Sequence, residues 1–240
     1  MAAHQRQRVD AQPAWVLHTY PFRETSLIVD VFTRDHGRVA LLARGARRPR
    51  SALRGLLLAF QPLELGWAGK GEVQTLMKAE WVGGQPLLSG KALFCGYYLN
   101  ELLINLLPRE DAHESLFSAY GETLSRFAGS VREADLRRFE HALLAELGYG
   151  LTLSHDVKGD PITAEAYYAY QIEHGAVRLN GPGNSALAVR GKTLLDLNQE
   201  DYSDPRSLIE AKQLMRALMT HYLGGQTLAT RKIFMELQEL

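Results

Sequence analysis

The chain has 240 residues, of which 46% are hydrophobic and 22% are charged, and its formal net charge is zero. This composition is that of an ordinary globular protein and excludes a disordered or low-complexity chain. Its single cysteine, Cys95, excludes an internal disulfide and a multi-cysteine zinc site, and we expect a protein of a reducing compartment.

The hydropathy pattern predicts a soluble, cytoplasmic protein. Residues 1–10 are polar and lack the apolar core of a secretory signal. The most apolar long stretch, residues 92–107, is interrupted by Asn100, Glu101 and Asn105 and is too short to span a bilayer. We therefore expect no membrane partner.

The first 80 residues predict five short strands and no long helix. The strands are expected at residues 15–20, 26–32, 38–43, 63–68 and 72–80. Five strands at this spacing fit a small closed β-barrel, because closure removes the sheet edges. An OB-fold barrel and an SH3-like barrel would both show this pattern.

The β pattern ends at Gly83, Gly84 and Pro86, and the hydrophobic period then becomes helical. We therefore expect an α+β protein with a barrel domain at residues 1–82 and a mostly helical domain at residues 83–240. Helices are expected at residues 89–107, 115–127, after Ser130, after Asp204 and at 230–237. Ser130 with Glu133 fits a capping box, and Asp204 before Pro205 fits a helix N-cap. Residues 150–197 are weakly patterned and could contain a β-hairpin.

Charge is distributed unevenly along the chain. Residues 1–80 contain 12 Lys or Arg and 7 Asp or Glu, a net charge of +5, and residues 81–240 carry the compensating −5. From Arg34 to Arg54 there are seven arginines and a single acid, Asp35. Opposite charges in two halves favour a basic module that binds a polyanion, joined to an acidic module; a chance division is the alternative.

The densest basic cluster follows the third predicted strand. Its members are Arg44, Arg47, Arg48 and Arg50, with Arg54 beyond them. Guanidinium groups bind phosphate in a bidentate manner and stack on bases, so this cluster predicts a nucleic-acid contact, with a solvated loop as the alternative. Aromatic residues that could stack on bases, or form the core instead, are Trp15, Tyr20, Phe22, Phe32, Phe60 and Trp67.

The sequence gives little support for catalysis. The eight histidines form no HExxH motif, no GxSxG motif is present, and no nucleotide-binding fingerprint is found. His155 with Asp156 could bind a metal, although a solvated turn explains the pair more simply. We therefore expect no enzyme and no cofactor. A Mg²⁺-dependent nuclease would need paired carboxylates, whereas only Asp30 and Asp35 lie near the arginines. A protein-only adaptor is a second alternative.

A further pair of cations lies beside the apolar stripe of a predicted helix. In the segment LRRFE, Arg137 and Arg138 lie between Leu136 and Phe139. Such an arrangement could hold an acidic peptide with a hydrophobic end, since an arginine binds a carboxylate and the groove accepts a side chain. An ordinary amphipathic helix with a solvated Arg137 is the alternative.

Several short motifs together resemble the RecO family of bacterial recombination mediators. In chain order they are Glu24–Leu27, Asp30–Thr33, Gly37–Val39, Ala43–Arg47, Gly71–Val73 with Thr75-Leu76, Tyr98–Leu102, Leu136–Glu140, Leu147–Gly150 and Tyr222–Gly225. Each motif is weak alone, but their order and spacing make the match specific over nearly the whole chain.

This resemblance implies an N-terminal OB fold and a helical C-terminal domain. It also implies binding of single- and double-stranded DNA, annealing of complementary strands including SSB-coated ones, and help in loading RecA at gaps together with RecR. The acidic C-terminal tail of the single-strand binding protein SSB is a further implied partner, and the location would be cytoplasmic, at damage sites of the nucleoid. Many relatives carry a four-cysteine zinc site after the position of Gly148, which this sequence lacks, so we expect no metal.

The resemblance also suggests which residues make these contacts. Together with Arg54 from the basic cluster, the expected DNA contacts are Arg38, Arg44, Arg47, Arg48, Arg50 and Lys70. The expected contact for the SSB tail is Arg137, with Arg138 as a weaker neighbour.

Overall fold

The structure is a computed structural model that describes residues 7–182 and 187–238. It begins with five strands, β1 (Gln7–Phe22), β2 (Ser26–Thr33), β3 (Gly37–Ala43), β4 (Pro62–Gly69) and β5 (Val73–Trp81). A short helix, α1 (Leu53–Leu56), lies between β3 and β4.

The five strands form a closed barrel in the order β1-β2-β3-β5-β4, with β4 returning to β1. The long β1 makes this closure possible, because its first half pairs with β4 and its second half with β2. β3 and β5 are parallel over Ala40–Leu42, and the other pairs are antiparallel. This is the connectivity of a five-stranded OB-fold barrel, so the predicted fold is confirmed.

Alternating residues fill the barrel. In β2, Val29 and Val31 are fully buried inside it, while Asp30 between them points to the outer face. Trp67 from β4 is also buried in this core, and Leu57, which follows α1, packs into the same cluster. Because alternate residues of a strand point to opposite faces, the apolar residues fill the interior of the barrel. The residues between them lie on an exterior that is polar or covered by helices.

A mostly helical region follows the barrel, as predicted. Its helices are α2 (Gly90–Leu106), α3 (Glu114–Gly129), α4 (Glu133–Glu146), α5 (Gly191–Asn198), α6 (Pro205–Tyr222) and α7 (Ala229–Gln238). A small sheet of order β7-β6-β8 is formed by β6 (Tyr167–Gln171), β7 (Gly175–Leu179) and β8 (Ala188–Arg190). Among the described residues, no helix combines the length and apolar composition needed to cross a bilayer.

The chain divides into two compact units, Met1–Val131 with Leu228–Leu240, and Arg132–Thr227. In the first unit, α2 and α3 are tied to the barrel by a buried polar chain. The amide of Asn100 donates to the carbonyl oxygen of Leu17 at 2.8 Å, and the hydroxyl of Tyr120 donates to Asn100 Oδ1 at 2.5 Å. The first unit therefore contains the barrel and three of the helices beyond residue 82, namely α2, α3 and α7.

One of the two predicted N-caps is present and one is wrong. The side chain of Asp204 accepts a hydrogen bond from the backbone N–H of Arg206 at 2.9 Å and caps α6. Ser130 instead ends α3, and its backbone N–H donates to Arg126. α4 begins two residues later than the capping box requires, after the extended residue Arg132.

Candidate nucleic-acid interface

The basic cluster lies in one stretch of chain that begins at the end of the barrel where β3 finishes. We call residues 44–54 the arginine segment; its five arginines are all exposed, namely Arg44, Arg47, Arg48, Arg50 and Arg54. Among the described residues none of these five forms an ion pair with a carboxylate. Five positive charges therefore face solvent without a counter-charge from the described part of the chain.

The backbone of the arginine segment is held in place although its side chains face solvent. Ala46 is fully buried in the barrel core, between arginines that point outward. The backbone N–H of Arg47 donates to the carbonyl oxygen of Thr25 at 2.8 Å, and that of Arg48 donates to Gly45 at 3.1 Å. Gly45 has φ +69°, a conformation that is unfavourable for residues with a Cβ. The segment is thus an anchored turn that presents cations.

Arg23 joins this surface, and the sequence analysis did not include it. It lies in the turn between β1 and β2, and its carbonyl oxygen accepts a hydrogen bond from Arg47 Nη1 at 3.2 Å. Its guanidinium lies over the ring of Phe22 at 5.2 Å and its side chain is exposed. The pairing of β2 with β3 brings this turn beside the arginine segment, so the hairpin register was the signal that could have identified it.

Arg38 is not available in the same way as the other predicted DNA contacts. Its side chain is only 11% exposed, with Nε 3.4 Å from Asp30 Oδ1. Its Nη1 donates to backbone carbonyls at the C-terminal end of α2, including Leu107 at 2.9 Å. Arg38 therefore links the barrel to the end of α2, and we do not include it in the proposed DNA-binding surface.

The partner of Arg38, Asp30, is a buried carboxylate. Arg109 Nη2 lies 3.0 Å from its other oxygen and remains 41% exposed. Burial raises the pKa of Asp30 above its ordinary value, and the nearby charges of Arg38 and Arg109 oppose that shift. Because each oxygen of Asp30 faces a guanidinium, its carboxylate is part of an ion-pair network with Arg38 and Arg109.

Lys70 lies apart from the arginine segment. It is exposed in the turn that joins β4 to β5, beside the first residues of β1. The arginine segment follows the C-terminal end of β3, and β3 runs parallel to β5, so the segment lies towards the end of β5 that is away from the β4–β5 turn. Lys70 is therefore at the opposite end of the barrel, and it can meet the same DNA only if a strand runs along the barrel wall.

Most of the aromatic residues considered as stacking partners belong to the core. Trp15, Phe32, Phe60 and Trp67 are all buried. Tyr20 is 43% exposed and packs beside His18, with ring centroids 4.4 Å apart. The core alternative is therefore correct for these four, and Tyr20 stays accessible.

The second predicted site lies on α4, in the second compact unit, and its charges are paired. Arg137 is buried, with Nη2 2.6 Å from Glu140 Oε1 and a side chain only 8% exposed. Arg138 is 29% exposed; its Nη1 lies 3.3 Å from Asp135 and its guanidinium covers the ring of Tyr202 at 5.1 Å. The more accessible of the two predicted contacts is therefore Arg138.

An open groove of about 920 Å³ lies elsewhere in the second unit, along α6. Its lining includes Gln213, Arg216, Ala217 and His221. Arg216 is exposed there, so this groove is a competing place for an acidic peptide.

The residues considered for metal chemistry are engaged in local structure. Asp156 Oδ1 accepts hydrogen bonds from the backbone N–H groups of Lys158 and Asp160, at 2.8 and 3.0 Å. Asp35 is paired with Arg34 at 2.7 Å. Within residues 7–182 and 187–238, no three His, Cys, Asp or Glu side chains group as ligands for a metal ion.

Comparison with known families and proteins gives consistent matches along the chain. Residues 9–85 match the family model for the recombination protein O N terminal, and residues 87–232 match the model for the recombination protein O C terminal. The DNA repair protein RecO of Dechloromonas aromatica is 68% identical over 239 residues, covering 98% of this chain and 99% of that protein. That of Aromatoleum aromaticum is 57% identical with the same coverage, and that of Ralstonia nicotianae is 51% identical over 241 residues, covering all of this chain and 89% of the relative.

Proposed function

The chain belongs to the RecO family of DNA repair proteins, and from this premise we propose that it is a non-enzymatic recombination mediator that binds single- and double-stranded DNA and anneals complementary strands. The observation that carries the proposal is the arginine segment. Its five exposed guanidiniums, with Arg23 beside them, have no carboxylate partner among the described residues.

The proposed mechanism is electrostatic. Two complementary strands repel each other through their phosphates, and cations that neutralise those phosphates lower the repulsion. Each neutralised phosphate also releases condensed counterions, so binding is driven by their dilution into solvent. Because the backbone of the arginine segment is anchored by Ala46 and Thr25, DNA binding needs to order only the arginine side chains and not the backbone that carries them.

The partners implied by the family are part of the same proposal. They are RecR, the acidic C-terminal tail of SSB and, indirectly, RecA, which the protein would help to load at gaps in SSB-coated DNA, in the cytoplasm at damage sites of the nucleoid. The ion-paired cluster on α4, formed by Asp135, Arg137, Arg138 and Glu140, supports the contact with the SSB tail, since its Arg138 is partly exposed beside Tyr202. We propose Arg138 as the first contact and Arg137 as its inner support.

The DNA assignment is tested by the salt dependence of binding. We expect the simultaneous change of Arg44, Arg47, Arg48 and Arg50 to Ala to reduce the slope of log K against log salt for a single-stranded oligonucleotide. The slope falls by about 0.7 for each phosphate that the protein no longer neutralises, so removing four cations corresponds to about 2.8. Fluorescence anisotropy across a salt series measures this slope.

A control variant with the same charge change separates a local contact from net charge. Four ion-paired residues are changed to Ala together, namely the exposed Arg126, Arg206 and Lys212 and the half-buried Lys192. The slope should stay close to that of the wild type. Equal slopes in the arginine-segment variant and the wild type would refute the assignment.

Incubation of labelled DNA with Mg²⁺ tests the two alternative functions. A Mg²⁺-dependent nuclease would cleave the DNA, and a protein-only adaptor would not bind it.

A further inference from the structure

Trp81, at the end of β5, is unusual among the three tryptophans because its side chain faces solvent. It is 59% exposed, whereas Trp15 and Trp67 are 8% and 1% exposed. A large apolar ring that stays exposed in the folded protein still has apolar surface to bury, and it can do so against a ligand.

The exposed ring is nevertheless held in one orientation. Its Nε1 donates a hydrogen bond to Oε1 of Gln61 at 3.2 Å. Gln61 is itself buried, and its Nε2 donates to the carbonyl oxygen of Phe60 at 3.3 Å. A buried amide therefore fixes the indole edge while the ring stays accessible, which reduces the entropy that a ligand must overcome.

Trp81 lies at the same end of the barrel as the arginine segment. β5 runs parallel to β3, so Trp81, at the end of β5, lies in the direction in which β3 leads into the arginine segment. The helix α1, which contains Arg54, also lies against β5. The adjacent acid, Glu80, is paired with Lys78 at 2.9 Å. The ring therefore lies at the end of the barrel that carries the exposed cations, and the adjacent carboxylate is paired with a lysine.

We propose that Trp81 is a stacking platform for an unpaired base of single-stranded DNA. This inference rests on the proposed function, because the phosphates of the same strand would be held by the arginine segment. Cations that follow a backbone next to an aromatic ring are the arrangement by which proteins bind single strands without reading their sequence. In a duplex the bases stack on one another, so Trp81 contacts single-stranded DNA only.

The intrinsic fluorescence of Trp81 gives a direct test. We expect oligo(dT), added to the full-length protein at low salt, to quench its tryptophan emission as the strand binds, whereas a duplex of equal length binds without this quenching. Trp81→Phe should abolish the quenching and leave only the unchanged emission of the buried Trp15 and Trp67. Trp81→Ala should weaken single-strand affinity about 5- to 150-fold, the range for one stacked base, and Trp81→Phe should restore much of it.

Two further variants and a parallel measurement complete the test. Gln61→Leu should weaken single-strand binding, because it frees the ring of Trp81. Met77→Ala changes a 65% exposed residue four positions earlier on the same strand and should have little effect.

The stacking proposal is overturned if the wild-type emission is not quenched and Trp81→Ala binds with unchanged affinity while anisotropy still reports binding. The proposed function would then stand. Equal decreases in affinity in the Trp81→Ala and Met77→Ala variants would point to a general apolar docking surface and also overturn it. No binding of any oligonucleotide would refute the proposed function itself.

Discussion

Arg38 and Arg44 are six residues apart on and just beyond the same strand, yet their surroundings are opposite. Arg38 lies on the outer face of the barrel beside Asp30 and under the end of α2, whereas Arg44 follows the last residue of β3 and is exposed. The alternation of the sequence correctly places both side chains outside the core. It does not show that a helix more than 60 residues later supplies carbonyl partners to Arg38, because that interaction depends on tertiary packing.

This difference leads to a prediction for single arginines. Arg38→Ala should lower the free energy of unfolding by about 3 kcal/mol, because it leaves the buried Asp30 with one fewer partner and the carbonyls of α2 without their donor. Arg44→Ala should leave stability nearly unchanged and weaken DNA binding. Urea unfolding and anisotropy of both variants check this prediction. A stable Arg38→Ala variant with DNA affinity as weak as that of Arg44→Ala would instead make Arg38 a DNA contact.

At the scale of helices and strands, the sequence patterns that predicted an element correctly depend on residues close together in the chain. Alternating apolar residues identified the strands of the barrel, and Asp204 before Pro205 identified the start of α6, because the cap and its amide are two residues apart. Ser130 failed as a cap although it fits the same kind of pattern. The ion pair of Arg132 with Asp135, at 3.0 Å, lies in the first turn of α4 instead, and Asp135 is fully buried there.

The helix α7 was expected at residues 230–237 and is present, but its N-cap could not have been predicted, because the capping group comes from another helix. The carboxylate of Glu101, in α2, accepts hydrogen bonds from the backbone N–H of Ala229 at 2.6 Å and of Thr230 at 3.0 Å. It also accepts one from the hydroxyl of Thr230 at 2.6 Å. An anion at this position satisfies free amides and interacts favourably with the helix dipole.

We therefore expect Glu101→Ala to loosen α7 within the first compact unit. Removal of a side-chain cap costs about 0.5–2 kcal/mol, and the amides of Ala229 and Thr230 should exchange with solvent faster. Hydrogen exchange measured by NMR reports this change at each residue. Asp204→Ala is the matched control, since it should speed exchange at the start of α6 and leave α7 unchanged; unaltered exchange of α7 in Glu101→Ala would show that the cap contributes nothing.

At the scale of the whole molecule, the uneven charge seen in the sequence corresponds to a difference between regions of the fold. The positive excess of residues 1–80 lies in the barrel and its connecting turns, where six arginines, including Arg23, are exposed at one end. The second compact unit carries the paired cluster on α4, in which Asp135 and Glu140 neutralise the predicted tail contacts. Sequence patterns located both groups of cations, but only the structure separates the exposed arginines from the paired ones.

Because the two groups lie in different compact units, their binding functions should be separable by mutation. Arg138→Ala should weaken binding of a fluorescent peptide with the acidic C-terminal sequence of SSB by about tenfold or more, since a hydrogen bond to a charged group contributes about 1.5–3 kcal/mol. DNA affinity of the same variant should match that of the wild type. Arg137→Ala should weaken peptide binding and also stability, because Glu140 is then left without its buried arginine.

The competing groove along α6 supplies the decisive comparison for this prediction. Arg216→Ala, in that groove, and Arg206→Ala, an exposed residue paired with Glu210, should bind the peptide as the wild type does. Peptide anisotropy and melting temperature are measured for all four variants, so that a failure to fold is recognised as such. If Arg216→Ala alone weakened binding while Arg138→Ala did not, the tail site would lie on α6, and the two arginines of α4 would serve only the ion pairs that hold the second unit together.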